Sequence, residues 1–446
     1  MLRDAWTLAI ETLSIVEQQQ SGARLSLAKA IKRLGIQDTN ALKLAHKLVF
    51  ETLRRNNLID FILNSVLAPQ SLLDLKRSQR AFLRLYTYET NMTATDLETA
   101  ANVAKLGRSI LGWRELENVE HVLGLLISIN STTVVEGAED AKRIGLSTYH
   151  PTWFVHYCYK LFGRREALNF LEKNGVPTPT YLRVNTLKAT DENIPKKLED
   201  EGITLEKEPQ LQHTYKVVRS QKPLTRSQSF REGLFYIQDK ASCLATVIAN
   251  PNVGATVLDV CAAPGAKTTH LAQLMENNGA IYSVDYSRRR MRIWNDEIKR
   301  MGVKVAQPIV ANARVPVATN LSADLVFIDP PCTSTGVFGK TPSAKWRLNK
   351  RSIFGMAKIQ WEMLNTYSSY VKRGGHLVYS TCSITVEENE MLIEKFLQWH
   401  PEFEFEETLP KIGLPGLRGQ QKCQRLYPHR HECNGFFVAK LLKECA

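Results

Sequence analysis

The sequence predicts an α/β protein in which a doubly wound, mainly parallel sheet is preceded by an all-helical domain and joined to it by a small α/β module. Three observations carry this. From about residue 254 short β-type runs alternate with helical stretches, the pattern of a parallel sheet covered on both faces. Over residues 1–130 apolar residues recur at helical spacing and prolines are few. Between the two, brief β-type runs are separated by polar turns. The expected divisions are 1–135, 136–245 and 246–446.

The helical stripes begin with Trp6, Ile10 and Leu13, continue with Leu44, Leu48 and Phe61-Ile62, and then with Ala81, Leu85 and Tyr88. Val119, Val122-Leu123 and Leu126-Ile127 form the last; all read as core-facing rows of a bundle. A loop is expected at 132–140, and His150-Pro151-Thr152-Trp153 opens another helix running to about Asn174. The middle module holds β-type runs at 180–184, 214–218 and 234–237. The main sheet is expected to use 256–260, 280–284, 304–310, 324–328 and 376–380, with helices over 268–275, 288–301 and 353–371. Two further runs, 403–407 and 435–441, suit an antiparallel edge pair.

The 446 residues suffice for two or three domains. A formal charge of +13 points to a polyanionic partner. The most apolar run, 122–129, is far too short to cross a bilayer, and Met1-Leu2-Arg3-Asp4 does not read as a secretory signal. Eight cysteines without a CxxC pair fit reduced thiols. These features lead to the expectation of a cytoplasmic monomer with no membrane partner.

Two strand tips suit a nucleoside cofactor. Cys261-Ala262-Ala263-Pro264-Gly265-Ala266-Lys267 follows one strand as a small-residue turn and opens a helix, where free amides accept an anionic group. It is neither a Walker loop nor GxGxxG. Asp285, at the tip of the next strand, is placed to hold a ribose diol. Two other tips carry Asp329-Pro330-Pro331-Cys332 and Thr381-Cys382, so two thiols and a carboxyl group converge beside the cofactor. Carbon 5 of cytosine is a poor nucleophile, and a thiolate adding to carbon 6 makes it reactive. A carboxyl group near ring nitrogen 3 favours the addition, and a second group removes the carbon-5 proton. The residues alone do not rank the two cysteines.

These motifs resemble the RsmB/Sun-type family of RNA 5-cytosine methyltransferases: Cys261 to Lys267, Asp329 to Cys332, Thr381-Cys382, and the terminal Asn434-Gly435-Phe436-Phe437, with Gly233 to Ser242 similar to the family's approach to this domain. The resemblance implies a Rossmann-like domain that binds S-adenosyl-L-methionine. It implies Cys382 as nucleophile, Cys332 as the group that assists release, and Asp329 as the acid that orients the base and borders the cofactor. The helical N-terminal part resembles a NusB-like domain, and His150 to Trp153 resembles a landmark that follows it. Arg290 matches a family arginine expected to contact the cofactor or Asp285. Two positions depart: Ala266 replaces a glycine, which requires a negative φ there, and Asn312 stands where the family has an adenine-contacting aspartate.

RNA, ribosomal in preference to transfer RNA, is the expected partner. Between Thr333 and Gly375 lie eight Lys or Arg and one acid, with Lys340, Lys345, Arg347, Lys350 and Arg351 clustered around Trp346. Cys423, His429, His431 and Cys433 match no common zinc spacing, and no metal is expected. Two other readings are an amino-group methyltransferase using Asp-Pro-Pro and an RNA-binding protein with a degenerate methyltransferase fold. The pair of cysteines weighs against both.

Overall fold

The computed structural model describes all residues except 94, 130–134, 318–320 and 445–446. The chain forms two compact units: Met1–Pro177 with Phe338–Leu348, and Thr178–Val337 with Asn349–Ala446. Helices Asp140–Ser147 and Thr152–Asn174 of the middle stretch thus fall in the first unit, and its strands with helix Ile194–Asp200 in the second.

In the first unit, helices Leu2–Gln19, Thr39–Arg54, Asn56–Leu67, Arg77–Met92 and Glu120–Ser128 carry the expected stripes. Trp6, Leu13, Leu48, Ile62, Phe82, Leu85 and Leu126 are buried in one core. Two more helices, Ala23–Leu34 and Leu97–Leu111, are not expected from large apolar residues. They bury mostly small ones: Ala23, Ser26 and Ala30 beside Leu27 in the first, Ala100, Ala104 and Gly107 beside Val103 in the second. A Cβ on Gly107 would lie 2.2 Å from the Phe82 ring. The expected loop at 132–140 lies partly outside the described residues, and its last residue starts helix Asp140–Ser147. Helix Thr152–Asn174 follows as expected, interrupted by a non-helical Gly163.

Phe338–Leu348 belongs to this unit although it lies far along the chain. Phe338 is buried with its ring 5.1 Å from that of Phe154. Trp346 donates its indole N–H to the Leu53 carbonyl, and Arg54 donates to the carbonyls of Gly175 (2.9 Å) and Gly339 (2.8 Å).

The second unit holds two sheets. In the smaller, β1 (Tyr181–Val184), β2 (Ile203–Lys207), β3 (Thr214–Ser220) and β4 (Phe235–Ile237) are antiparallel in the order β2-β3-β1-β4. The larger is built on β5 (Thr256–Val260), β6 (Ala280–Asp285), β7 (Ala306–Val310), β8 (Ala323–Ile328) and β9 (Val371–Thr381). These five are parallel in the order β7-β6-β5-β8-β9. β10 (Phe403–Glu406), β11 (Leu414–Pro415), β12 (Gln424–Leu426) and β13 (Phe436–Lys443) complete it, with β13 antiparallel to β9, β10 and β12. Strand order reverses between β5 and β8, so their carboxyl ends flank a crevice. Apolar side chains cover both faces of the sheet: Val257, Leu271, Trp294 and Phe327 in one cluster, Leu258, Val326, Leu364 and Tyr379 in the other. Buried Arg183 of β1 ties the smaller sheet to helix Ala266–Leu274, donating to Gln238 (3.0 Å), Gln273 (2.6 Å) and Thr269 (3.0 Å). Among the described residues no helix is long and apolar enough to cross a membrane.

Candidate active site

The turn after β5 settles how Ala266 is accommodated. Left-handed backbone falls on Cys261 (φ 67°) and Gly265 (φ 112°), whereas Ala266 is the first residue of helix Ala266–Leu274. No side chain caps that helix, which leaves its first amides for a ligand. Ala262 and Ala263 are buried beside Pro264. Asp259, inside β5, accepts from the Thr268 hydroxyl at 2.5 Å, and Trp294 donates to the same hydroxyl at 3.0 Å. Burial, reinforced by the nearby Asp329 and Asp285 charges, pushes the Asp259 carboxyl up to about 7 against the pull of Thr268 and Lys267.

At the tip of β6, buried Asp285 accepts from the Ser287 N–H at 3.0 Å, and its other oxygen faces the Arg290 guanidinium at 3.1 Å without a hydrogen bond among the described residues. Arg290 also donates to the Ala263 carbonyl, which joins the turns after β5 and β6. Asn312 is exposed after β7, and its side-chain oxygen accepts from the Arg314 N–H at 3.1 Å, a turn an aspartate would form equally. A small-residue turn, uncapped helix amides and a buried carboxylate oxygen in reserve fit a nucleoside cofactor carrying an amino-acid tail.

Beyond β8, Asp329 receives the Lys267 ammonium at 2.6 Å and the Ser380 hydroxyl at 2.9 Å. Lys267, expected only at the cofactor, therefore also belongs to the reacting end. Burial works against its charge, but Asp329 overcomes this and raises its pKa. The sulfurs of Cys332 and Cys382 lie 3.2 Å apart, a proton-sharing contact rather than a disulfide of about 2.05 Å. The hydrogen bond from Cys332 lowers the Cys382 pKa against burial and the nearby Asp329 charge, helped by the Ser334 hydroxyl 3.6 Å away and by Lys267. Cys332 is held well above the ordinary thiol value by that same bond, by burial and by the charge of Glu388. The glycine of the terminal motif sets this geometry from behind. Gly435 donates to Gly336 at 2.9 Å, Gly336 donates to the Cys382 carbonyl at 3.0 Å, and a Cβ on Gly336 would lie 2.2 Å from the Gly435 oxygen.

Sequence reasoning missed the residues that hold the two cysteine turns. Glu388, fully buried, accepts from the Thr333 N–H (2.8 Å) and hydroxyl, from Ser383 (2.6 Å), Thr385 (2.7 Å) and Gln360 (2.9 Å). Its neighbour Asn389 accepts from Thr381 at 2.6 Å and donates to the Ser383 carbonyl at 2.9 Å. The only signal was their place a few residues beyond Cys382.

The five expected RNA contacts are divided between the two units. Lys345 is fully buried in the first unit and donates to the Tyr149 carbonyl, because its segment packs there as core; burial holds its pKa well below the usual lysine value. Arg347 donates to the Gln20 carbonyl at 3.1 Å, and half-buried Lys340 lies in the same segment. Lys350 and Arg351 are exposed at the start of helix Lys350–Ser368 in the second unit. The exposed aromatic near them is Phe354, not Trp346. Among the described residues no three His, Cys, Asp or Glu are grouped to hold a metal; Cys423 and Cys433 are buried in the apolar clusters.

The family described as 16S rRNA methyltransferase RsmB/F matches residues 246–442, and its ferredoxin-like domain matches 150–221. A probable ribosomal RNA small subunit methyltransferase B from Bacillus subtilis is 30% identical over 98% of this chain and 98% of its own length. The chain belongs to the RsmB/F family. A tRNA (cytosine(72)-C(5))-methyltransferase from Pyrococcus horikoshii is 37% identical over 49% of this RsmB/F chain and 55% of its own. The crystal structure of PH0851 superposes with a TM-score of 0.84 at 30% identity, covering 99% of each chain, so this structural likeness extends through the helical unit. NSun6 from Pyrococcus horikoshii, solved with SFG, gives a TM-score of 0.61 at 28% identity over 66% of this chain and 98% of its own.

Proposed function

We propose that this RsmB/F protein transfers the methyl group of S-adenosyl-L-methionine to carbon 5 of a cytosine in RNA, through a covalent bond between Cys382 and carbon 6. The observation that carries this reading is the pair of thiols 3.2 Å apart beside the Lys267–Asp329 ion pair. Asp285 and Arg290, with the turn Cys261 to Lys267 and Asn312, hold the cofactor, which supplies a sulfonium methyl group. Asp329, fixed by Lys267 and Ser380, takes a hydrogen bond from the cytosine amino group, and Lys267 balances negative charge that builds on the ring. The Cys382 thiolate adds to carbon 6, which makes carbon 5 nucleophilic. Once Cys382 is bonded, Cys332 loses its proton to solvent, takes the proton from methylated carbon 5, and Cys382 leaves as thiolate.

Ribosomal RNA is the substrate class this reading favours, supported by the full-length match to a ribosomal methyltransferase. RNA contacts are assigned to Lys350, Arg351 and Lys358, with Phe354 offering a face on which a base stacks. Incubation with labelled cofactor and ribosomal or transfer RNA, followed by nucleoside analysis, tests the assignment. 5-Methylcytidine from the wild type and none from Cys382→Ala, which still binds cofactor, is the expected result. A labelled adenosine or an active Cys382→Ala protein would refute it.

A further inference from the structure

Glu388 is a fully buried acid for which the transfer chemistry above has no use. All five groups bound to its carboxylate are donors, and none is a cation. Among the described residues no lysine, arginine or histidine forms an ion pair with it, in contrast to Glu390, whose carboxylate meets the buried Arg425. Enclosing an acid without a counter-ion is costly in folding terms, so packing alone does not account for it.

The identity of its partners gives it a purpose. Thr333 directly follows Cys332 and Ser383 directly follows Cys382, and one carboxylate grips both. Gln360 adds a third point, donating to Glu388 and to the Pro331 carbonyl on the other side of Cys332 at 2.9 Å each. The two turns come from different strands, β8 and β9, and Glu388 reinforces the bonds that join them directly, from the Gly336 N–H to the Cys382 carbonyl at 3.0 Å and between the Thr333 and Ser383 hydroxyls at 3.1 Å. The charges around the pair also differ. The Glu388 anion acts on Cys332, whereas Cys382 meets the Asp329 anion together with the Lys267 cation paired to it and the Ser334 hydroxyl.

We propose that Glu388 is the positioning residue of the cysteine pair: it clamps the residue that follows each cysteine, and its negative charge keeps their shared proton on Cys332, leaving Cys382 as the thiolate. This rests on the assignment of Cys382 as nucleophile. Nothing is oxidised; a single proton lies between two sulfurs, and Glu388 determines which of them keeps it. The same residue thus supports the distance between the thiols and sets their division of labour.

The first test needs neither RNA nor cofactor. The full chain is treated with iodoacetamide from pH 6 to 9, and modification of Cys332 and Cys382 is followed separately by mass spectrometry. In the wild type Cys382 reacts first. In Glu388→Gln, which keeps the shape and loses the charge, the ratio of Cys332 to Cys382 modification rises about tenfold, the effect of one pKa unit. Thr385→Val, which removes one donor and keeps the charge, leaves the ratio as in the wild type. An unchanged ratio in a folded Glu388→Gln protein overturns the proposal, as does a wild type in which Cys332 reacts first. Should Glu388→Gln fail to fold, Ser383→Ala decides: kcat falls at least fivefold with KM for RNA unchanged, and an unchanged kcat overturns the clamp. If the wild type methylates no cytosine, the functional reading fails, while the alkylation ratios still report on Glu388.

Discussion

Replacing Asp259 by asparagine isolates the cost of a buried acid beneath the cofactor turn. The carboxyl group lies wholly inside β5, and its titration is pushed from the ordinary aspartate value of 3.8 up to about 7. A folded-state value above the unfolded one means that the acid form favours folding. The stability it contributes is full below pH 3.8 and is lost as the pH rises through 7. Integrated over the titration, the loss is about 2 kcal/mol by pH 5 and about 4 kcal/mol by pH 8. Between those two values the wild type therefore loses about 2–3 kcal/mol that the asparagine variant does not. The variant pays its own penalty, because an amide NH2 takes the place of the oxygen that lacks a donor, but that offset is the same at both pH values. Urea unfolding of both proteins at pH 5 and pH 8 measures the difference. The stability gap should move by about 2–3 kcal/mol in favour of Asp259→Asn as the pH rises. A gap that stays constant, or moves the other way, would show that Asp259 is ionised in the folded protein throughout, and the reasoning would fall.

Cys332→Ala should accumulate a protein–RNA adduct that survives denaturing gel electrophoresis, because the methylated cytosine has no base to release it; absence of the adduct alongside normal turnover would reverse the roles of the two cysteines. Phe354, 62% exposed between Arg351 and Lys358, should be worth about 1–3 kcal/mol of RNA affinity by stacking. Phe354→Ala then raises the Kd for single-stranded RNA at least fivefold, with the single-turnover rate at saturating RNA retained. Arg351→Ala should lower the slope of log affinity against log salt by about 0.7, the loss of one phosphate contact. Gly336→Ala should cost about 1–3 kcal/mol in thermal or urea stability, because the new methyl group meets backbone that cannot rotate away; its kcat falls with it, since Gly336 holds the Cys382 carbonyl.

Much of the catalytic unit was legible because its signals are local. β5 spans Thr256–Val260 and the next long helix Arg288–Met301, both as the alternation of strands and helices implies. The strand tips then bring Asp329, Cys332 and Cys382 together, since topology rather than sequence proximity places them. Helix Lys350–Ser368 begins three residues before the expected 353 because Asn349 caps it, accepting from the Ser352 N–H at 3.1 Å. It also ends earlier, and Val371, expected as its last residue, opens β9 instead.

What sequence could not supply depends on distant partners. Lys345 and Trp346 read as solvent-facing because their neighbours are basic, yet contacts with Tyr149 and Leu53, some 196 and 293 positions away, draw them inward. Glu388 sits in an acidic run, Glu387-Glu388-Asn389-Glu390, whose composition signals a hydrated surface. Three of the four are fully buried, each satisfied by groups from other loops or by Arg425.

The placement of Phe338–Leu348 bears on how the protein can be divided. The chain leaves the catalytic unit at Val337, folds with the helical one for eleven residues, and returns at Asn349. A cut at Pro177 therefore does not yield a self-sufficient catalytic fragment. It strands a loop whose Phe338, Lys345 and Trp346 have lost every helix that covered them. The two units are spliced rather than strung together, and gain or loss of the helical part requires a matching rewrite of the catalytic sequence just beyond Cys332.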